Sequence, residues 1–193
     1  MRVVFLDITK AFDKVWHKGL LFKLRKCGID GRLLLWFQDY LSNRMQRVVI
    51  NGQNSNWNII GAGVPQGSVL GPLLFLLYIN VIVQSVTHCN IRLFADDTCI
   101  FIEVNDRDEA AELINADLKK IHEWSKKWLI NFAPSKTKSL IISTKKDFNL
   151  NPPLFLNNQH IEEVKSHTYL GVTFCRNLRW SAHINSVYLK AKK

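Results

Sequence analysis

Short apolar runs of strand length alternate with longer stretches of helical spacing along the chain. Residues 2–6 form a nearly unbroken apolar run that ends at Asp7, and this run predicts a buried strand. Residues 91–94 and 99–102 are rich in strand-forming side chains, and they flank Asp96 and Asp97. The pattern predicts a β-hairpin with both aspartates at its tip.

Helical spacing predicts several helices. One contains Leu20 and Leu24 and stops at Gly28, and Asp30 is placed to cap the next helix. The apolar face expected for that second helix comprises Leu33, Leu34, Trp36, Phe37, Tyr40 and Leu41. Residues 106–128 give the clearest pattern, with a capping-box-like start and a basic polar side, and residues 180–193 predict a last helix.

Turn signals divide the rest of the chain. Asn51-Gly52 predicts a hairpin between 47–50 and 57–60, and a short strand is expected at 139–143. The polar, turn-rich stretch 145–153 separates a first domain, 1–150, from a second, 151–193. The second is expected to carry small β segments with a turn at Asn157-Asn158.

The uncharged run 69–86 is long enough to raise the question of a membrane span. Gly71-Pro72 near its start and the polar residues Asn80 and Gln84 favour a buried core helix instead. We therefore expect no membrane partner.

The positive net charge of the chain indicates a polyanionic binding partner. Among the 193 residues, 26 Lys and Arg against 16 Asp and Glu give a net charge of +10, which favours nucleic acid over an anionic membrane surface. The four cysteines lack Cys-x-x-Cys spacing, and no signal peptide is evident, so an intracellular, reduced protein is expected.

The acidic residues are the candidate chemistry. Asp96-Asp97 alone is compatible with a solvated turn, but Asp7 follows a second apolar strand of the same form. One strand ending at Asp7 beside a hairpin carrying the other two would make a cluster that repels itself until cations occupy it. Oxygen ligands alone favour Mg²⁺ or Mn²⁺.

Four segments resemble, in wording and order, the reverse transcriptases of non-LTR (LINE-like, jockey-type) retrotransposons. Residues 5–13 are similar to the first palm motif of that family, 63–75 to the second, 94–97 to the third and 134–137 to the fourth. Residues 169–172, with 178–184, resemble the segment at the junction of palm and thumb. The resemblance covers nearly the whole chain.

The resemblance implies an α+β reverse-transcriptase palm, with an antiparallel sheet packed on helices, a ferredoxin-like core and the start of a thumb. Most of the fingers are expected to be absent. Domain 1–150 would then be the palm and 151–193 the junction with a truncated thumb. The implied reaction is two-metal transfer of a nucleotide from a dNTP to the 3′-hydroxyl of a DNA primer on an RNA template.

The resemblance also implies site residues. Asp7 and Asp96 would bridge two Mg²⁺ ions, replaceable by Mn²⁺, with Asp97 completing the cluster and the Ile8 carbonyl as an extra ligand. Lys136 would protonate or neutralise the departing pyrophosphate, although a solvated lysine is the plainer alternative.

Three further residues are implied to contact the nucleotide. Phe12 would lie under the incoming sugar and exclude a 2′-hydroxyl, with core packing as its alternative. Gln66 and Gly67 would lie against nucleotide and template, unless their glycine-dense loop is an ordinary turn.

Two departures from the family pattern keep a second hypothesis open. Val81 and Ala133 stand where the family commonly has Asp and Asn. The alternative is a catalytically inactive relic that at most binds nucleic acid. For an active enzyme the resemblance implies the nucleus and a cytoplasmic ribonucleoprotein, and the oligomeric state is left open.

Overall fold

The computed structural model of the chain describes residues 1–144 and 151–192. The helices are α1 (His17–Lys26), α2 (Gly31–Leu41), α3 (Leu70–Ile79), α4 (Arg107–Lys127) and α5 (Ser181–Ala191), with short 3₁₀ helices at Phe12–Lys14 and Asn80–Ser85. The strands of the main sheet are β1 (Arg2–Leu6), β6 (Asn90–Phe94), β7 (Asp97–Ile102), β8 (Lys138–Ile141) and β11 (Glu162–Val164). The remaining strands are β2 (Met45–Gln46), β3 (Val49–Ile50), β4 (Gln53–Asn54), β5 (Asn58–Ile59), β9 (Phe155–Leu156), β10 (Gln159–His160), β12 (Ser166–Tyr169) and β13 (Val172–Cys175).

The five-stranded sheet has the order β11-β8-β1-β7-β6, and only the β11–β8 pair is parallel. Together with the helices, this antiparallel-dominated sheet confirms the expected α+β, palm-like architecture. β1 is the central strand, and all of its residues are buried. A strand covered on both faces needs apolar side chains on both, which explains why residues 2–6 lack polar alternation.

The chain forms two compact units. The first comprises Met1–Thr9, Ile82–Lys127 and Asn131–Lys193, and it contains the main sheet, α4 and α5. The second comprises Lys10–Val81 and Trp128–Ile130, and it contains α1 to α3. The proposed division at 150/151 stays a prediction, because residues 145–150 lie outside the described part of the chain.

One face of the main sheet carries a cluster of Val3, Phe5, Cys99 and Leu140, against which Tyr169 and Phe174 of the β12–β13 hairpin pack. On strand β7 the sheet contacts α4, whose Ala110, Ile114, Leu118 and Ile121 are buried at helical spacing. Asp106 Oδ1 accepts the Glu109 N–H at 2.9 Å, which confirms the predicted cap of this helix.

In the second unit, α1 contacts α2 and α3. α2 buries Leu34, Phe37 and Leu41, whereas Leu33 and Trp36 of the predicted apolar face are exposed. The predicted broad face was therefore too wide. The Asn51-Gly52 turn joins β3 to β4, with both residues at positive φ as a tight hairpin turn requires.

The uncharged run 69–86 begins with α3 and continues into the 3₁₀ helix Asn80–Ser85. Leu74, Phe75, Tyr78 and Ile79 of α3 are buried, as expected for a core helix. Within the described residues, we find no helix with the length and apolar character needed to cross a bilayer.

Candidate active site

Strand register brings two of the predicted carboxylates together. β1 pairs antiparallel with β7 from Arg2↔Ile102 to Leu6↔Thr98. Continued by one residue, this register places Asp7 opposite Asp97, and cross-strand neighbours on one face have Cβ atoms roughly 5 Å apart. By strand alternation both lie on the face that carries Phe5 and Cys99.

Asp96 comes from the turn that joins β6 to β7. Phe94 pairs with Asp97, so only Ala95 and Asp96 form the loop, and the predicted hairpin with aspartates at its tip is confirmed. Ala95 has φ +53°, an unusual left-handed conformation for a residue with a Cβ. The tight turn thus fixes where Asp96 leaves the sheet.

Asp7, Asp96 and Asp97 line one pocket in the first unit, together with Ile8 and Lys136. Asp7 is half-buried, whereas Asp96, Asp97 and Lys136 are exposed. The other lining residues are Phe5, Leu6, Thr98, His167 and Tyr169. The pocket therefore combines three acidic side chains, one cation and a histidine.

The pocket disfavours the charged form of the Asp97 carboxyl. Burial raises the pKa of the Asp97 carboxyl above its ordinary value, and the nearby charges of Asp96 and Asp7 raise it further, against a smaller opposing effect of His167. Asp97 keeps solvent contact, so water screens part of this repulsion. The three carboxylates nevertheless repel one another across the pocket.

The oxygen donors of this pocket are of the chemical type that hard divalent cations prefer. Asp7 Oδ1 is buried and has no hydrogen-bond partner among the described residues, and unpaired buried carboxylate oxygens are costly. Across residues 1–144 and 151–192, however, no three His, Cys, Asp or Glu side chains converge closely enough to hold a metal ion.

A turn after α4 holds the main chain of Asp7. The Ala133 N–H donates to Asp7 O at 2.9 Å, and the Asp7 N–H donates to Thr137 Oγ1 at 3.4 Å. The Thr9 N–H donates to Asn131 O at 2.8 Å, and Ile8 forms a bridge with Phe132. Both the N–H and the carbonyl of Asp7 are therefore hydrogen-bonded to this turn.

Sequence analysis did not assign His167 or Tyr169 to the site. The His167 ring stacks on Phe5 at 4.3 Å between centroids, and the Tyr169 hydroxyl donates to Asp97 O at 3.4 Å. Burial and the charge of Lys138 lower the pKa of His167, while Asp97 opposes them. Tyr169 belongs to the segment 169–172 that resembles the palm–thumb junction, but no sequence signal placed either residue in the pocket.

The three predicted nucleotide contacts belong to the second unit. Phe12 is half-buried and stacks on Phe75 with centroids 4.6 Å apart, and Gln66 Nε2 donates to Asp13 Oδ1 at 2.8 Å. Gly67 is exposed, with φ +81°. The stacking of Phe12 agrees with core packing, and the nucleotide roles of all three residues stay predictions.

The glycine-dense loop lies against the 3₁₀ helix of the same unit. The Gly63 N–H donates to Val15 O and the Val64 N–H to Phe12 O, each at 2.8 Å. A Cβ on Gly63 would lie 2.8 Å from Asp13 O, so only glycine fits this close backbone approach. This glycine therefore has a packing role of its own.

Comparison with known proteins identifies the family. Residues 2–174 match the model of the family "Reverse transcriptase (RNA-dependent DNA polymerase)". The chain is 31% identical over 188 residues to "Probable RNA-directed DNA polymerase from transposon X-element" of Drosophila melanogaster. It is 31% identical over 190 residues to "RNA-directed DNA polymerase from mobile element jockey" of the same species, and 30% identical over 191 residues to the Drosophila funebris protein of that name.

Each of these alignments covers 95% of this chain. The chain spans about a fifth of the length of these relatives, 20% in each case. The palm-like α+β fold and the carboxylate-lined pocket are typical of polymerases that use metal ions. The family match narrows this class to the reverse transcriptases. The chain belongs to the reverse transcriptase family, and its similarity is to enzymes of non-LTR retrotransposons.

Proposed function

We propose that this chain is the palm segment of an RNA-directed DNA polymerase that extends a DNA primer on an RNA template. The observation that carries the proposal is a pocket in a chain of this family. Asp7 from the end of β1 and Asp96 and Asp97 from the β6–β7 hairpin line it together. Residues 151–193 would be the palm–thumb junction with part of the thumb.

Each carboxylate has a task in this proposal. Asp7 and Asp96 would bridge two Mg²⁺ ions, with Asp97 and the Ile8 carbonyl as further ligands; Mn²⁺ would substitute. Bound ions of this kind lower the pKa of the primer 3′-hydroxyl and neutralise charge on the triphosphate. The unpaired Asp7 Oδ1 supports this assignment, because it is a buried acceptor that lacks a donor in the described part of the chain.

Lys136 is the proposed proton donor or counter-charge for the leaving pyrophosphate. It lines the carboxylate pocket and is exposed, so its ammonium is free to reach a phosphate that enters from solvent. Its main chain is anchored, since the Lys136 N–H donates to Ala133 O at 3.1 Å.

Three residues are proposed to contact the incoming nucleotide. Phe12 is the proposed steric barrier to a ribose 2′-hydroxyl, and Gln66 and Gly67 are the proposed contacts to the base pair. The net charge of +10 supports an RNA template and a DNA primer as partners. From its family we further propose the nucleus and a cytoplasmic ribonucleoprotein as its locations.

Primer extension tests the proposal. For this test the chain is produced as part of a protein that is as long as its relatives. This protein is incubated with dNTPs, a DNA primer on RNA, and Mg²⁺ or Mn²⁺. We expect extension, and about a thousandfold loss in Asp96→Ala, because several kcal/mol of charge stabilisation disappear. Asp108→Ala, an exposed carboxylate in α4, is the matched control and should extend normally.

An intact fold that extends no primer with either ion would overturn the proposal in favour of the inactive relic. Salt-sensitive RNA binding would then mark a binding module, since each phosphate contact releases counterions.

A further inference from the structure

Thr137 connects the first carboxylate to the turn that carries Lys136. Its side chain is fully buried, and its Oγ1 donates to Ala133 O at 2.9 Å while it accepts the Asp7 N–H at 3.4 Å. One hydroxyl therefore acts as donor and acceptor at once.

Ala133 is hydrogen-bonded both to Asp7 and to the turn that follows it. Its carbonyl also accepts the N–H groups of Lys136 at 3.1 Å and Thr137 at 2.9 Å, and its own N–H donates to Asp7 O at 2.9 Å. The two peptide groups of Asp7 are thus held by one turn, residues 133–137. A shift of this turn would move Asp7 and Lys136 together.

We propose that Thr137 is a positioning residue that fixes the backbone of Asp7 relative to the turn carrying Lys136. It touches no reacting atom in this scheme. Residues that orient metal ligands typically change metal affinity 10–100-fold when they are replaced. The effect on metal binding rests on the proposed function, whereas the hold on the Asp7 peptide does not.

Thr98 provides a matched control. It is also fully buried, and it pairs with Leu6, the residue before Asp7. Its Oγ1, in contrast, has no hydrogen-bond partner among residues 1–144 and 151–192. Thr98→Val removes a buried hydroxyl near the same carboxylates without removing a contact to Asp7.

The first measurement is amide hydrogen exchange in the 193-residue chain without metal. The readout is the exchange rate of the Asp7 amide divided by that of Val4, because the ratio cancels a uniform loss of stability. We expect Thr137→Val to raise the ratio about tenfold or more, since the acceptor that this N–H has among the described residues is lost. Thr137→Ser keeps a hydroxyl and should restore the ratio, and Thr98→Val should leave it unchanged.

The second measurement is Mn²⁺ affinity, followed by the electron paramagnetic resonance of free Mn²⁺. We expect Thr137→Val to weaken binding about tenfold or more, and Thr137→Ser to stay within about twofold of wild type. If the parent chain takes up no Mn²⁺, the proposed function fails, while the exchange ratio still decides the role of Thr137.

An unchanged exchange ratio in Thr137→Val overturns the inference. So does equal Mn²⁺ affinity in wild type and Thr137→Val. If Thr137→Val does not fold, Thr137→Ala, which also lacks the hydroxyl, takes its place: a raised exchange ratio supports the inference, and an unchanged one contradicts it.

Discussion

Two carboxylates of the same unit lie in opposite environments. Asp117 of α4 has no exposed surface and is surrounded by donors, whereas Asp97 of β7 is exposed to solvent and faces two other acids. Asp117 accepts the N–H groups of Thr87 at 3.1 Å, His88 at 2.8 Å and Cys89 at 2.8 Å. It also accepts the Thr87 hydroxyl at 3.1 Å.

The pKa shifts of the two groups differ in sign. For Asp117, burial favours the protonated acid, but the hydrogen bonds from Cys89, His88 and Thr87 outweigh it and lower the pKa. For Asp97, burial and acidic neighbours both raise it. The hydrogen bonds to Asp117 thus favour its charged form in the folded chain, whereas the acidic neighbours of Asp97 disfavour its charged form.

The largest expected effect is on Asp117. Asp117→Asn replaces one acceptor oxygen by an NH₂ group that faces N–H donors, so we expect the free energy of unfolding to fall by about 2–4 kcal/mol. Urea titration measures it. Asp108→Asn, on an exposed position of the same helix, is the control and should change stability by less than about 0.5 kcal/mol. Equal effects of the two variants would show that the hydrogen bonds to Asp117 contribute nothing.

The next effect concerns Lys23, a buried cation in the second unit. Its Nζ lies 3.7 Å from the centre of the Trp128 ring and donates to Tyr78 O, and burial lowers its pKa to about 7. The unfolded chain, with a pKa near 10.5, binds the extra proton between these values. Stability therefore rises with pH from 7 to 9, by at most about 1.4 kcal/mol per pH unit.

Urea midpoints at pH 7, 8 and 9 measure this slope. Lys23→Met keeps the aliphatic stem without the titrating group, so the slope should flatten in that variant. A slope that persists unchanged in Lys23→Met would assign it to another group.

The smallest effect is predicted at Asp97. Asp97→Asn removes the repulsion with Asp7 and Asp96, so the metal-free chain should gain a few tenths of a kcal/mol, after allowance for solvent screening. The same variant should lose stabilisation by added Mn²⁺. Thermal melts with and without Mn²⁺ measure both quantities. A loss of stability without metal would contradict the repulsion argument.

Local sequence patterns were enough for most elements of the first unit. The apolar run at 2–6 became β1, and the capped helical pattern at 106–128 became α4. These succeeded because strand and helix periodicity is written into neighbouring residues. The width of the buried face of α2 was missed, since which apolar residues are covered depends on distant partners of the helix.

The candidate site could be predicted in part from local sequence patterns. Asp7, Asp96 and Asp97 stood out because acids at the ends of apolar strands are conspicuous. The roles of Asp117 and Thr137 were not visible, since both depend on backbone N–H groups brought near by tertiary contacts. No local pattern shows that three successive amides at 87–89 point at a carboxylate some thirty residues later.

The central place of β1 in the sheet affects how the chain is made. Its neighbours, β7 and β8, follow it by roughly a hundred residues or more. At a synthesis rate of about 5–20 residues per second, this apolar strand remains unpaired for roughly 5 to 30 seconds until β7 and β8 have been synthesised. Nascent copies are thus exposed to chaperones and to one another during every round of translation.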